Sequence, residues 1–263
     1  MTGEAGMFLE KYGPWALVIG GSEGIGSAFS RKLAERGLNL VLVARKPGPL
    51  EETAAKIREL GVEVRTLSAD ISKPREALAA VRQITDGLEI GFLLYMAGAN
   101  LTRGVFPDID LELARKVVAM NVDGQMEFTH HYAGLMKARG KGGVVLVGSL
   151  AGNVGSPMIA HYSASKAFSR IFSEAIWFEL KPFGVDVLHL NINFTATPAM
   201  VRLGYDISTA EDPEAVAEEG INHIADGPVW VVGGKANQDE SLRRLSQMPR
   251  SEAVASVVLP PKK

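Results

Sequence analysis

The 263-residue sequence predicts an α/β fold: a doubly wound sheet of about seven mainly parallel strands flanked by helices. Apolar runs of strand length alternate with amphipathic runs of helix length along the whole chain. Several of the strand runs are apolar at nearly every position, as strands covered on both faces must be. A glycine-rich turn follows the first run, the place where such a sheet opens toward a ligand.

The strand candidates, in order, are WALVIG (15–20), LNLVLVA (38–44), VEVRTLS (62–68), IGFLLYMAG (90–98), GGVVLVGS (142–149), VDVLHLNI (185–192) and GPVWVVG (227–233). Helices are expected near 24–36, 49–60, 73–85, 110–138, 161–180 and 212–225. Strand–helix–strand repetition at this spacing implies parallel pairing, and right-handed crossovers then gather the loops after the strands along one crevice. No internal repeat or long linker interrupts the rhythm, so residues 1–263 read as one domain. Residues 193–226 read as a covering segment over the crevice, with AMVRLGYDISTAE (199–211) as its mobile part. Residues 234–263 form an atypical C-terminal extension with one helical stretch, QDESLRRLSQM, and a frayed end in LPPKK.

Composition narrows the function classes. The chain is 46% hydrophobic and 22% charged with a formal net charge of −2, too weak a field to point to nucleic acid or an anionic membrane. It has no cysteine, which excludes disulfides, thiolate nucleophiles and Cys-based metal sites. No His/Asp/Glu spacing suggests a metal, and no apolar run reaches the ~18–20 residues of a membrane span. MTGEAGMFLEKYG lacks a signal-peptide pattern, so a soluble cytoplasmic protein is expected.

Two local patterns carry chemistry. In VIGGSEGIGSAF, Gly20, Gly24 and Gly26 stand where a buried strand turns into a helix, so exposed N–H groups at the helix start can take a pyrophosphate. The same glycines also serve plain strand–helix packing. In AHYSASKAF, Tyr162 and Lys166 lie four residues apart, on one face of a helix. A cation beside a phenol favours the phenolate and makes its proton easier to exchange, although such a pair also occurs on any solvated helix face.

The G-x-x-x-G-x-G spacing together with Tyr-x-x-x-Lys resembles the short-chain dehydrogenase/reductase family, and further matches follow in order over about residues 13–200. Asp70 in SAD, Ala97-Gly98 after the fourth strand, Asn121 in MNVDG, Ser149 in GSLAG and Thr197 in TATPAM all fall at family positions. The resemblance implies a Rossmann-type fold and a catalytic set of Asn121, Ser149, Tyr162 and Lys166. It implies cofactor contacts from Gly20, Ser22, Glu23, Gly24, Ile25, Gly26, Arg45, Asp70, Ile71, Ala97, Gly98, Thr195 and Thr197, besides Tyr162 and Lys166. Taken singly, Asn121 also reads as a buried helix amide and Ser149 as a strand-end turn residue. The chain departs from the family at Ile19, Tyr95-Met96 and Ile192-Asn193, which replace a threonine, two asparagines and a Pro-Gly. Each of these touches scaffolding around the cofactor.

The implied activity is hydride transfer between a nicotinamide and a carbonyl or alcohol, with Tyr162 as general acid/base and Ser149 donating to the reacting oxygen. Lys166 would hold ribose hydroxyls and lower the Tyr162 pKa, and Asn121 would place a water. His161 is expected at the rim. Arg45 and Lys46 follow the second strand with no acid, which favours NADP(H) over NAD(H), although Glu23 argues the other way. Val154, Met158, Met200 and Leu203, with Ser149 and Tyr162, are the candidate substrate contacts and suggest an apolar, steroid-like or acyl substrate. They also fit simple packing. The helices at 110–138 and 161–180 match those that pair subunits in the family, so the resemblance implies a homodimer or homotetramer. The alternatives are an NAD-dependent alcohol dehydrogenase, a dinucleotide-binding sensor without turnover, and an enoyl reductase, whose Tyr–Lys spacing is wider.

Overall fold

A computed structural model describes residues 3–257 of the chain, so the LPPKK end lies outside the described residues. Seven strands form one sheet in the order β3-β2-β1-β4-β5-β6-β7, every pair parallel. They are β1 (Trp15–Ile19), β2 (Asn39–Ala44), β3 (Val64–Ser68), β4 (Ile90–Tyr95), β5 (Gly142–Val147), β6 (Val185–Asn191) and β7 (Val229–Val231). Alternation along β1 decides the two cores: Ala16 and Val18 point into one, Leu17 and Ile19 into the other. The first core is closed by α2 (Gly24–Glu35), α3 (Pro47–Arg58) and α9 (Pro213–Asn222), the second by α4 (Pro74–Thr85), α6 (Gly124–Arg139) and α7 (Ala160–Leu180). Strands buried on both faces explain the uninterrupted apolar runs.

The structure departs from the expectations at four places. The helix expected over 110–138 is α5 (Leu111–Val118) and α6 joined by a π-helical turn, Ala119–Asp123, that carries Asn121. An unexpected helix, α1 (Gly3–Tyr12), packs Tyr12 edge-on against Phe92 at 5.9 Å and donates its phenol to Asp186 Oδ2 at 2.6 Å. The covering segment is tied down more than its composition suggests. The Glu211 N–H donates to Phe194 O at 2.9 Å and the Ala196 N–H to Glu211 O at 2.8 Å, which closes the segment at its base around α8 (Pro198–Arg202). The C-terminal extension holds two helices, α10 (Gly234–Leu242) and α11 (Arg250–Ala255), where one stretch was expected. No described helix is long and apolar enough to cross a membrane.

Candidate active site

Strand order reverses between β1 and β4, and the crevice opens at their carboxyl ends. The glycine turn forms its floor. A methyl group on Gly26 would stand 2.0 Å from the Gly20 carbonyl oxygen, so α2 begins closer to the turn than any side chain permits. Gly24, at φ +57, lies under the Thr197 side chain. Glu23 occupies the cap position of α2 in extended conformation and makes no side-chain capping bond, leaving the first N–H groups of the helix available to an anion. Ile19 cannot brace the turn, but Thr53 on α3 donates its hydroxyl to Ser22 O at 2.9 Å and does so instead.

Around this floor the other expected contacts assemble unevenly. The Ala97 N–H donates to Ile19 O at 2.8 Å, which sets Ala97-Gly98 directly beside Gly20. Ile71 is buried behind Asp70. Burial raises the Asp70 pKa, but hydrogen bonds from Ser72 and the nearby charges of Arg45 and Lys116 more than offset it and hold the carboxyl below its usual range. Arg45 and Lys46 are exposed at the end of β2, the Arg45 carbonyl pinned by the Ser68 hydroxyl at 2.9 Å. Glu23 is taken up by Arg202 of α8, whose Nη1 donates to Oε2 at 2.8 Å and whose Nη2 donates to Oε1. That bond from Arg202 lowers the Glu23 pKa, so the acid at the turn is ionised and charge-paired.

The opposite wall is the start of α7. The Ser149 hydroxyl, which accepts from the Ala151 N–H at 3.2 Å, lies beside Tyr162 and favours the ionised phenol, and the Lys166 ammonium lies 5.7 Å from the Tyr162 ring centroid. Lys166 is 3% exposed and donates to Val147 O at 2.9 Å, which leaves two of its three donors for a ligand. The expected lowering of the Tyr162 pKa is not what this arrangement produces. Burial pushes the phenol up, the neighbouring Ser149 hydroxyl only partly opposes it, and burial pulls Lys166 down to about 8. Below Lys166, His189 is buried and held neutral, its pKa lowered to about 3 by burial and by the charges of Lys166 and Arg170. His161 is buried too, not at the rim, with Nε2 2.9 Å from Asn100 Oδ1.

Asn121 closes the inner end. Its Nδ2 donates to Val117 O at 3.0 Å, and its buried Oδ1 finds no donor among the described residues. A methyl group on Gly98 would stand 1.9 Å from that oxygen, so Asn121 and Gly98 meet where the crevice ends. Tyr95, in place of a family asparagine, does brace this region: its hydroxyl donates to Met120 O at 2.7 Å.

The outer side is apolar. Thr197 caps α8, accepting from the Met200 N–H at 3.3 Å, and Thr195 is buried beneath it. Leu203 and Met158 are 49% and 41% exposed. Met158 has φ +68, rare for a side chain of its size, and its carbonyl is pinned by the Gly104 N–H at 2.9 Å. Val154 is not brought to this side. It is buried and lines a separate cleft of about 480 Å³ with Ala164, Ala167, Arg170 and Val254. Thr53, His189 and Arg202 carry no signal in the sequence, and Tyr95 shows there only as a departure from the family, because each acts through a partner remote in the chain.

A parallel doubly wound sheet, an anion-binding glycine turn and a Ser–Tyr–Lys cluster on the facing wall define a nicotinamide-dependent oxidoreductase of this fold. The profile of the short chain dehydrogenase family matches residues 14–208, and the chain belongs to that family. It is 31% identical over 255 residues to a 7beta-hydroxysteroid dehydrogenase of Clostridium sardiniense, with 95% of this chain and 96% of that protein covered. A solved 7beta-hydroxysteroid dehydrogenase structure superposes with a TM-score of 0.88 at 31% identity, covering 94% of this chain and 98% of that one. A short-chain dehydrogenase from Sphingobium yanoikuyae in complex with NADPH superposes with a TM-score of 0.78 at 27% identity, covering 94% and 96%.

Proposed function

We propose that this oxidoreductase interconverts a ketone or aldehyde and an alcohol on a large apolar, steroid-like substrate, with NADP(H) as its dinucleotide. The observation that carries the reading is the buried Lys166 ammonium held 5.7 Å from the Tyr162 ring, with Ser149 beside the phenol. The bound nicotinamide supplies or accepts the hydride. The Tyr162 hydroxyl gives its proton to the substrate oxygen in reduction and takes it back in oxidation. Ser149 donates to the same oxygen as charge builds there. With two free donors, Lys166 holds the ribose hydroxyls, and once charged and so engaged it draws the phenol down from the high value burial gives it. The glycine turn from Gly20 to Gly26, with Ser22 and Ile25, holds the pyrophosphate, while Asp70, Ile71 and Ala97-Gly98 flank the adenosine.

NADP(H) is supported by exposed Arg45 and Lys46 at the end of β2, where an ammonium or guanidinium can meet a 2′-phosphate. Glu23 no longer opposes it, since Arg202 neutralises that carboxylate. The steroid-like substrate rests on the named relatives and on the apolar side chains of Met158, of Met200 in α8 and of Leu203 just after it, the first and last of them partly exposed. Exposed Val118, Met126, Ile171 and Phe178 on α5 to α7 fit a face covered by a second copy, and we place the protein in the cytoplasm as a homo-oligomer.

The test is nicotinamide absorbance with steroid ketones and secondary alcohols. Tyr162→Phe is expected to lower kcat by ~10²–10⁴-fold with NADPH affinity nearly unchanged. Equal turnover in variant and parent refutes the assigned role, and a parent that binds NADPH without turning over any carbonyl substrate supports a sensor instead.

A further inference from the structure

We propose that the Tyr95 hydroxyl is a positioning group for the reaction: by holding the Met120 carbonyl it keeps the π-turn of residues 119–123 open and Asn121 aimed at the inner end of the crevice. The proposal rests on the catalytic reading above. A π-turn is rare, and by widening the helix it leaves backbone carbonyls without their usual partners. Within this turn, the Met120 carbonyl accepts from Tyr95 at 2.7 Å. Tyr95 is fully buried at the end of β4, where a phenol must have a partner.

The fit is mutual. A methyl group on Gly124 would stand 2.0 Å from the Tyr95 oxygen, so a glycine one turn beyond Met120 admits the hydroxyl into the helix. Asn121 follows Met120 directly. Its amide is oriented by donation to Val117 O at 3.0 Å, which leaves Oδ1 against Gly98, buried and without a donor among the described residues. A buried amide oxygen in that state calls for a water. The continuous path from Tyr95 through Met120 and Asn121 to Gly98 therefore links the centre of the sheet to the crevice. Tyr95 also packs its ring 5.8 Å from Phe128, a contact that the hydroxyl does not need.

Tyr95→Phe keeps that packing and deletes only the oxygen. Carbonyl reduction is expected to lose at least ~10-fold in kcat, with substrate KM and NADPH Kd within about twofold of the parent, and the pH midpoint of kcat is expected to move. Gly124→Ala, which leaves Tyr95 intact but drives a methyl against its oxygen, is expected to give the same kcat loss and the same midpoint shift. The double variant should be no worse than the poorer single, because both act on one contact. Phe128→Leu serves as the purely structural control, with Tm lowered and both kcat and its pH midpoint kept. Should Tyr95→Phe fail to fold, Gly124→Ala decides by the same readings. A Tyr95→Phe enzyme with parental kcat and midpoint, changed only in Tm, overturns the proposal, as does multiplication of the two single defects. A parent without turnover removes the catalytic reading and this role together; an active parent with an equally active Tyr95→Phe removes the role alone.

Discussion

On the inner wall of the crevice, Tyr162 and Lys166 ride on a 21-residue helix whose inward positions Ser165, Ser169 and Ser173 are all buried. On the outer wall, α8 spans five residues, and Val201 within it and Leu203 just after it are 55% and 49% exposed. The inner wall seats its polar groups on a packed helix; the outer wall is held by its capping Thr197, its tie to Glu211 and the Arg202–Glu23 pair. Groups that exchange a proton need fixed distances, which only a packed element supplies. Apolar selection of a substrate tolerates looser geometry, and a short tethered segment suffices. If this division is right, substitutions on the inner wall change kcat and proton chemistry, and those on the outer wall change KM.

The largest effect beyond Tyr162 belongs to Lys166. Lys166→Met is expected to cut turnover by ~10²-fold or more, since it removes both the charge near the phenol and a cofactor contact. Its titration gives a sharper test. Burial lowers the Lys166 pKa to about 8, so in the free protein the side chain is charged below that pH and neutral above it. NADPH affinity should therefore fall as pH rises past about 8, by up to ~10-fold per pH unit, because only the charged form attracts the anionic cofactor. Stability of the free protein moves oppositely. Between about pH 8 and 10 the unfolded chain still binds this proton and the folded one does not, so Lys166 makes the fold more stable as pH rises. Titrated NADPH fluorescence and thermal melts across that window check both signs, and Lys166→Met should flatten both slopes. An affinity that stays level from pH 7 to 10 in the parent would break the link between burial and binding.

Next in size is Arg45. Arg45→Asp is expected to raise the KM for NADPH by ~10- to 100-fold, the loss of a charge-assisted phosphate contact, while NADH improves. Initial rates with both cofactors at fixed substrate measure the ratio. An unchanged ratio would transfer the preference to Lys46 or away from the β2 end altogether.

How much of this was legible in the sequence follows the same division. The five inner strands, β1, β2, β4, β5 and β6, stand out as apolar runs because they are buried on both faces. The edge strands β3 and β7 are partly exposed, and β3 mixes polar residues into its run. The glycine turn and the Tyr162–Lys166 pair were legible because their geometry is local, set within one turn of chain. What escaped is held by pairs far apart in sequence. Nothing near Thr53 indicates that its hydroxyl supports Ser22, and nothing near Tyr95 indicates that it reaches Met120. The π-turn at Asn121 sits in an unbroken helical pattern, so periodicity joined α5 and α6 into one helix. The direction of the Tyr162 pKa was not legible for a related reason. Spacing reports that a lysine is near a tyrosine, whereas burial of both groups, which dominates their titration, is a property of the whole fold.

The smallest effect tests the outer wall. Leu203 is about half exposed, so the substrate can cover only part of what a fully buried leucine would gain. Full burial of such a side chain is worth ~1.5–3 kcal/mol, and covering the exposed half contributes roughly 1 kcal/mol. Leu203→Ser should thus raise the KM for a steroid ketone by about fivefold and leave kcat alone, because the contact is equal in ground and transition states. A small water-soluble ketone, too short to reach Leu203, should show no change in KM, which makes the ratio between the two substrates the decisive reading. Equal changes for both would mean that Leu203 acts through the stability of α8 and its Arg202–Glu23 tie, and a change in kcat would place it on the inner wall's side of the division.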